Sequence, residues 1–518
     1  MNHTHSSNPP GIGRRRFLGS LAALAVSQIS GCYWMPFVKS HEECPQLRGD
    51  QFIVDMHCHL LNVRDIEPLA FIERRITNTD EGFLLLDALS GFFTWVLLQP
   101  IKGFIKTATD ETIWARQTMA KLQSSAQEFC NAAIDEQGGI FFANPANQLV
   151  GQASNRTRNA ARMMALFPEV DLFTPAMVDL GEGSFDGYSD PYELASYYEH
   201  LHIASNGRFV PLVSYSPDRA WEEGQYGLSR RQLIHVRDCV EKRGFIGVKV
   251  HPSSGFSPVN NQVYGCPNTP RQQSETLSDE KAHFLNEQLE DLYALCRSLD
   301  IPILTHSGIG ITSNQECMQK KFSAPSTWTN SPVQWGMAIK KANERSRDEL
   351  GAPIPPGRKL RVCLAHFAGG FTASGDVHPW LNLAAEEMEK NSSMYIDLSS
   401  SAEMFTNDKR DVQDTHREVF LKFLARNRKL AEKMMYGTDW NMPQIAQIGN
   451  HYLPVIRSLV PEQLRSQTMG LNAAEFYGLR PGENNRERLK LFYQARGVSL
   501  GKVSWMTKLD RINQVSTS

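Results

Sequence analysis

Residues 54–62 read VDMHCHLLN, an apolar lead-in and an aspartate followed by two histidines with one cysteine between them. The chain has only 15 histidines in 518 residues, so two of them one residue apart, His57 and His59, at the end of a β-like run ask for a reason. In a strand, residues i and i+2 point to the same face, and the two imidazoles therefore converge on one spot. Converging neutral imidazoles suit a divalent metal ion. The plainer reading is a half-exposed pair at a strand end, and the choice between the two rests on partners supplied from elsewhere in the chain.

Outward from this stretch the composition is that of an ordinary globular chain, with 41% hydrophobic and 21% charged residues. The net charge of −2 excludes an overall basic footprint for nucleic acid, and no long run of like charge occurs. A length of 518 residues suits either several average domains or one barrel enlarged by insertions.

The N-terminus is a different kind of sequence. Residues 13–32, GRRRFLGSLAALAVSQISGC, place an arginine cluster before a weakly apolar stretch, Phe17 to Ile29, that is too short to span a bilayer and has the order of an export signal. Arg14, Arg15, Arg16, Phe17 and Leu18 resemble a twin-arginine signal. Ile29, Ser30, Gly31 and Cys32 resemble a lipobox, which makes Cys32 the expected lipidation site. Residues 1–32 are thus read as the signal and 33–50 as a polar linker. The expectation is export through the twin-arginine route to the periplasm or cell envelope, with a lipid anchor to the membrane. The other eight cysteines, Cys44 to Cys363, show no CxxC pair and need not form disulfides even in an oxidising destination.

Eight apolar, β-rich runs follow, at 51–59, 172–180, 208–216, 244–252, 301–308, 361–369, 394–400 and 433–440. Helix-like stretches separate most of them, such as 416–432, where Phe420, Phe423, Leu424 and Ala431 share one face. Alternating strands and helices imply parallel pairing, and eight repeats imply an α/β fold of the (β/α)₈ TIM-barrel type. The first connection, about residues 61–170, is a long helical insertion between the first and second strands. Its apolar segment 83–105 reads as a buried helix of a lid or homodimer interface, with a membrane-facing hairpin as the other reading. The barrel spans 51–480, and 481–518 is read as a C-terminal helix and tail.

In such barrels the chemistry sits at the C-terminal ends of the strands, and His57, His59, His251, His306, His366 and Asp439 all fall near those ends. The runs DMHCH, GFIGVKVHP, ILTHSG, CLAHFAGG, YGTDWNMP and the closing LNAAEFYGL together resemble the amidohydrolase superfamily. Within it they resemble the amidohydrolase 2 branch, which includes relatives of aminocarboxymuconate-semialdehyde decarboxylase. The resemblance implies that His57, His59, His306 and Asp439 hold a metal ion, that Asp439 also handles a proton, and that His366 serves as acid or base beside the metal. It raises Lys249 as either a bridge to a second metal or a support of the mouth; a single ion, Zn²⁺ or alternatively Mn²⁺ or a similar ion, is the favoured count.

His251 and Trp440 are candidate substrate-lining residues. Three imidazoles and one carboxylate leave a zinc position open to water, whose pKa then falls towards neutrality. The leading expectation is a metal-dependent hydrolase of a small amide, lactone or ester. The alternative is a nonoxidative decarboxylase, and a third is a metal-stabilised envelope binding protein.

Overall fold

The structure is a computed structural model that describes residues 47–62, 64–65, 106–121, 126–136, 155–179, 189–266, 277–308, 329–371, 376–401, 410–440 and 451–517. The export signal with Cys32 and the apolar segment 83–105 lie outside the described residues. Every one of the eight runs carries a strand: β1 (Val54–Cys58), β2 (Leu172–Pro175), β3 (Val213–Ser214), β4 (Val248–Val250), β5 (Ile303–Thr305), β6 (Val362–Leu364), β7 (Met394–Asp397) and β8 (Met434–Met435). All pairings between them are parallel: β1 with β2, and β3 through β8 in chain order.

Backbone contacts cross both remaining seams. Between β2 and β3 there are parallel bridges Phe173 to Phe209 and Ala176 to Leu212. Between β8 and β1, Met56 N donates to Tyr436 O at 3.0 Å and Asp439 N donates to His57 O at 2.7 Å. The architecture is a TIM-barrel-like parallel α/β fold. Side-chain alternation agrees: Leu304, Cys363, Tyr395 and Met435 belong to one apolar cluster, while Ile303, Val362, Ile396 and Met434, their chain neighbours, belong to the other.

The seam between β1 and β8 is also fastened by side chains. Asp55 accepts from Thr438 N at 2.9 Å and from Thr438 Oγ1 at 2.7 Å. Burial pushes the Asp55 carboxyl up to about 7 against the pull of these donors. Beside them Gly437 is required by close approach, since a Cβ there would lie 2.9 Å from His57 Cβ. The GTD of YGTDW therefore reads as contact, staple and site residue in succession.

The helical layer follows the expected pattern. Residues 416–432 fall in helices Arg410–Arg426 and Arg428–Glu432, and Phe420, Phe423, Leu424 and Ala431 are all buried. The C-terminal segment is more than a helix and tail. Helices Asn484–Ala495 and Ser504–Thr517 pack Leu489, Phe492, Tyr493, Trp505 and Leu509 into the same cluster as Phe52, Val54 and Met56, where β1 begins.

Between β1 and β2 the described residues form three helices, α1 (Ala108–Lys121), α2 (Ala126–Glu136) and α3 (Arg156–Leu166). Asn155 caps α3 by accepting from Arg158 N at 3.1 Å. At its first residue the Arg156 guanidinium, wholly buried, pairs with Asp65 at 2.5 Å and with Glu111, and donates to Asn62 Oδ1 at 3.2 Å. One cation thus ties two of these helices to the loop that leaves β1. Arg156→Met should cost about 3–5 kcal/mol, because two buried carboxylates lose their counter-charge. Chemical denaturation of the two proteins measures it, and an unchanged midpoint would show that the pair is not a structural tie.

Candidate metal centre

The i, i+2 spacing in β1 does bring the two imidazoles together: His57 Nε2 lies 3.1 Å from His59 Nε2. Cys58 between them is buried away from this contact, and burial raises its thiol well above the ordinary range, which leaves it inert. Asp439, after β8, stands 3.7 Å from His59 and 3.8 Å from His366. His57, His59 and Asp439 are the group whose ligand atoms all fall within 4.8 Å of one another, and they form the single such cluster among the described residues.

The tautomers follow from the partners behind the rings. His59 Nδ1 is 2.8 Å from Ala176 O, a pure acceptor, so Nδ1 carries the proton. His57 Nδ1 is 3.0 Å from Asp397 Oδ2 and 2.9 Å from Ser399 Oγ, and likewise carries its proton towards the carboxylate. Both Nε2 atoms are then unprotonated and face each other at hydrogen-bond distance with no proton between them, and His57 Nε2 also faces the Lys249 amine at 3.0 Å. That is an unfavourable pairing until a cation sits there, and the donor set fits a divalent metal ion. Burial, with Lys249 as the next cause, holds both imidazoles in the neutral form: His57 is pushed well below its ordinary value and His59 down to about 3.

The other expected residues surround this triad. Lys249 Nζ lies 3.0 Å from His57 Nε2, fully buried, and burial brings its ammonium down to about 8. It therefore borders the triad. His306 stands outside the group of three: its Nδ1 is 3.0 Å from His366 Nε2, and burial takes it down to about 3. His366 is engaged at both nitrogens, with Nδ1 at 3.1 Å from Ser399 Oγ.

His251 has its ring 6.3 Å from that of His59 and stacked 6.0 Å from that of His306, with Nδ1 buried and lacking a hydrogen-bond partner among the described residues. Trp440 is fully buried against Phe167, 6.3 Å between rings, with the Arg162 guanidinium 5.8 Å from its ring centre. Those contacts are packing contacts and none of them is to the histidine cluster. His378 caps the helix Pro379–Lys390 by accepting from Trp380 N at 3.2 Å.

Two residues of the cluster were not legible as site residues. Asp397, the last residue of β7, is buried and receives Ser399 Oγ at 2.5 Å, Ser399 N at 2.9 Å and His366 N at 3.1 Å besides His57. The signal was present in MYIDLSS, a carboxylate and a hydroxyl at the C-terminal end of a strand, but neither is a residue that looks like a metal ligand there. The backbone at the mouth is strained as well: His366, Phe367 and Ala368 have φ of 59, 49 and 47°, and Asp439 has 46°. Non-glycine residues held in that region cost of the order of 1–3 kcal/mol each and cluster at functional sites.

Residues 207–479 match the family model described as amidohydrolase. No curated protein matches the chain. Among solved structures, the chain is similar to 2,6-dihydroxybenzoate decarboxylase complexed with 2,6-dihydroxybenzoate, at 11% identity over 67% of this chain and 95% of that one, with a TM-score of 0.36. It is also similar to dihydroxybenzoic acid decarboxylase from Polaromonas sp. JS666 with bound manganese and the inhibitor 2-nitroresorcinol, at 14% identity, 68% and 95% coverage and a TM-score of 0.37. A third is 5-carboxyvanillate decarboxylase LigW from Sphingomonas paucimobilis, at 14% identity, 72% and 96% coverage and a TM-score of 0.33.

The metal assignment has a direct test. Purified protein should carry about one divalent ion per chain, and His57→Ala with His59→Ala should remove it, since each lost ligand leaves the shell incomplete. Elemental analysis decides it; equal metal in both proteins would refute the assignment, and about two ions per chain would revive Lys249 as a bridge.

Proposed function

We propose that this chain, which belongs to the amidohydrolase family, is a metal-dependent enzyme on a closed (β/α)₈ barrel that removes a carboxylate from a small organic acid as CO₂. The ligands are His57, His59 and Asp439, with His306 completing the set. A divalent ion held there, Zn²⁺ or Mn²⁺, would polarise a carboxylate or carbonyl oxygen of the substrate.

The observation that carries the reading is the engagement of His366. With Nδ1 on Ser399 and Nε2 on His306, His366 is spent on holding its neighbours, and Asp439 remains as the proton carrier of the cluster. Amide hydrolysis asks for a base to activate water and an acid to protonate the leaving amine. Decarboxylation asks for less: the C–C bond breaks, its electron pair stays on carbon, CO₂ leaves without a proton, and one proton is delivered to that carbon from the side of Asp439.

Charge supports the same substrate class. Asp439 is the one anionic member of the ligand set, so a divalent ion with its ligands would carry a positive charge, with the Lys249 amine beside them and the Asp397 carboxylate behind His57. An anionic substrate balances that charge and a neutral amide does not. His251, whose Nδ1 lacks a hydrogen-bond partner among the described residues and whose ring lies between those of His59 and His306, is placed to meet the substrate. Hydrolysis of a carbonyl compound, the leading expectation from the sequence, is the second reading, and it needs His366 to leave one of its two partners.

Metal-loaded protein should therefore release CO₂ from a member of a panel of aromatic and enoic acids, with one solvent deuteron entering the product in D₂O. Label from H₂¹⁸O entering an acid product without CO₂ would replace this reading by hydrolysis. A metal-loaded protein inert to the acids and to esters, lactones and amides would favour the envelope binding protein instead.

We also propose that the chain works after export through the twin-arginine route, held at the envelope through Cys32. Support comes from Cys130 and Cys266, each of which is in a disulfide in the structure although the spacing of the cysteines did not call for it. Disulfides persist in oxidising compartments. Replacing Arg14, Arg15 and Arg16 by Lys should trap the protein in the cytoplasm with Cys130 and Cys266, both buried, open to alkylation on unfolding in the presence of the reagent. Wild type from the envelope should protect both. Wild type retained in the cytoplasm with both thiols free would remove the proposal.

A further inference from the structure

Parallel strands put all their starts at one pole and all their ends at the other. His57, Asp397 and Asp439 lie at or past strand ends, so the metal centre occupies the end pole. The chain enters at the start pole. Residues 47–53 precede β1, Arg48 N donates to Pro168 O at 3.0 Å, and Lys508 Nζ donates to Gly49 O and to Gln51 O at 2.8 Å each. Cys32, the proposed lipid site, is separated from Leu47 by the fourteen residues of the linker 33–46. A flexible linker of that length spans about 20 Å on average, so a lipid on Cys32 would keep the start pole close to the bilayer.

The start pole is covered by the C-terminal segment, and that segment is basic. Residues 481–518 carry seven lysines and arginines against three carboxylates, in a chain whose net charge is −2. Its first helix, Asn484–Ala495, is fixed at this pole by Asn485 Nδ2, which donates at 2.8 Å to Ile246 O just before β4, and its last, Ser504–Thr517, by Lys508. The three carboxylates are engaged: Glu487 pairs with Lys490 at 2.8 Å, Asp510 pairs with Arg486 at 2.7 Å, and Glu483 accepts from Arg480 N at 2.8 Å. Arg488 and Arg511 form no ion pair among the described residues, and neither does the exposed Lys359, three residues before β6. Arg488 Nη2 donates to Asn485 Oδ1, and its Nε is buried without a hydrogen-bond partner among the described residues. Burial lowers this guanidinium to about 10, with Asp300 opposing and Arg358 and Arg361 assisting. On the same helix Leu491, one turn on, is 66% exposed.

We propose that the start pole is a docking face for anionic phospholipid headgroups: Lys359, Arg488 and Arg511 meet the lipid phosphates, Leu491 enters the headgroup layer, and the metal mouth is turned away from the bilayer towards water. The choice of a bilayer as occupant rests on the anchor proposed at Cys32. A cation near an anionic lipid surface gains roughly 5-fold in affinity, and an exposed apolar side chain adds contact with the boundary of the acyl chains. A tether raises the effective concentration of the surface, so that weak docking suffices. A mouth facing water suits a small, soluble organic acid.

The test uses vesicles and needs no substrate. The parent is the full chain with Cys32→Ala and with Arg14, Arg15 and Arg16 replaced by Gln, which removes the lipid and the signal's own charge. Its binding is measured by cosedimentation with vesicles of phosphatidylcholine alone and with vesicles containing roughly one third phosphatidylglycerol. The anionic vesicles should bind it at least about 10-fold more tightly, and high salt should abolish the preference, because the charges are exposed. Lys359→Gln, Arg488→Gln and Arg511→Gln together should lower the preference about 10- to 100-fold. Lys106→Gln, Lys281→Gln and Lys422→Gln, which remove the same charge elsewhere on the surface, should leave it within about 2-fold. A parent without the preference, or equal losses in the two triple variants, would overturn the proposal. Should the pole variant lose its helix content, Arg511→Gln alone, at an exposed residue, is expected to lose about 3- to 5-fold, and no loss there would overturn the proposal as well. Fatty-acid labelling of wild type reports on the anchor separately: no label at Cys32 with the preference intact would remove the anchor and keep the docking face.

Discussion

The Asp397 carboxylate is buried at the end of β7 and accepts from side chains or backbone on β1, from the turn after β6 and from its own strand end. Hydrogen bonds to a charged group are worth roughly 1.5–3 kcal/mol each, and an anion without water depends on having several. That dependence works in both directions. The carboxylate is tolerable only because its donors are in place, and the donors are in place because the carboxylate holds them. His57 takes its tautomer from it directly, and the turn carrying His366 takes its position from it through the backbone. The unprotonated Nε2 of His57 is thus a product of what lies behind its ring.

Much of this was legible in the sequence. The eight apolar runs each hold a strand because a buried parallel strand must be apolar over its short length, and the turn or charge signals around them mark where burial ends. That His57, His59 and Asp439 come together could be read because strand parity puts i and i+2 on one face and Asp439 ends the last strand run. His306 could be named but not placed, since no spacing tells whether an imidazole at a strand end turns to the ion or to another imidazole. Asp397 and Ser399 were missed for a different reason. A residue that acts by holding another has no type of its own, and a strand ending in Asp-Leu-Ser looks like any capped strand end.

Trp440, next to Asp439 in the chain and expected to line the substrate, has its ring beside Phe167 and Arg162. Asp439 has a φ of 46°, and a left-handed residue reverses the local course of the chain, so sequence neighbours there need not share a direction. The same applies after His366, where three left-handed residues in succession precede Gly369 and Gly370. The backbone at both positions is shaped to present one side chain each, and the next residue goes to packing.

The staple between Asp55 and Thr438 joins residues 383 positions apart. Contacts that distant form late, because the entropy of closing so long a loop is spent before any of them returns a gain. His57, on one side of that seam, and Asp439, on the other, cannot meet in a chain that has folded only part of its strands. Intermediates holding β3 to β8 would look native by helix content and by much of the core, yet would lack the triad. Metal uptake would then act as a checkpoint on complete folding, blind to everything assembled before the first strand docks on the last.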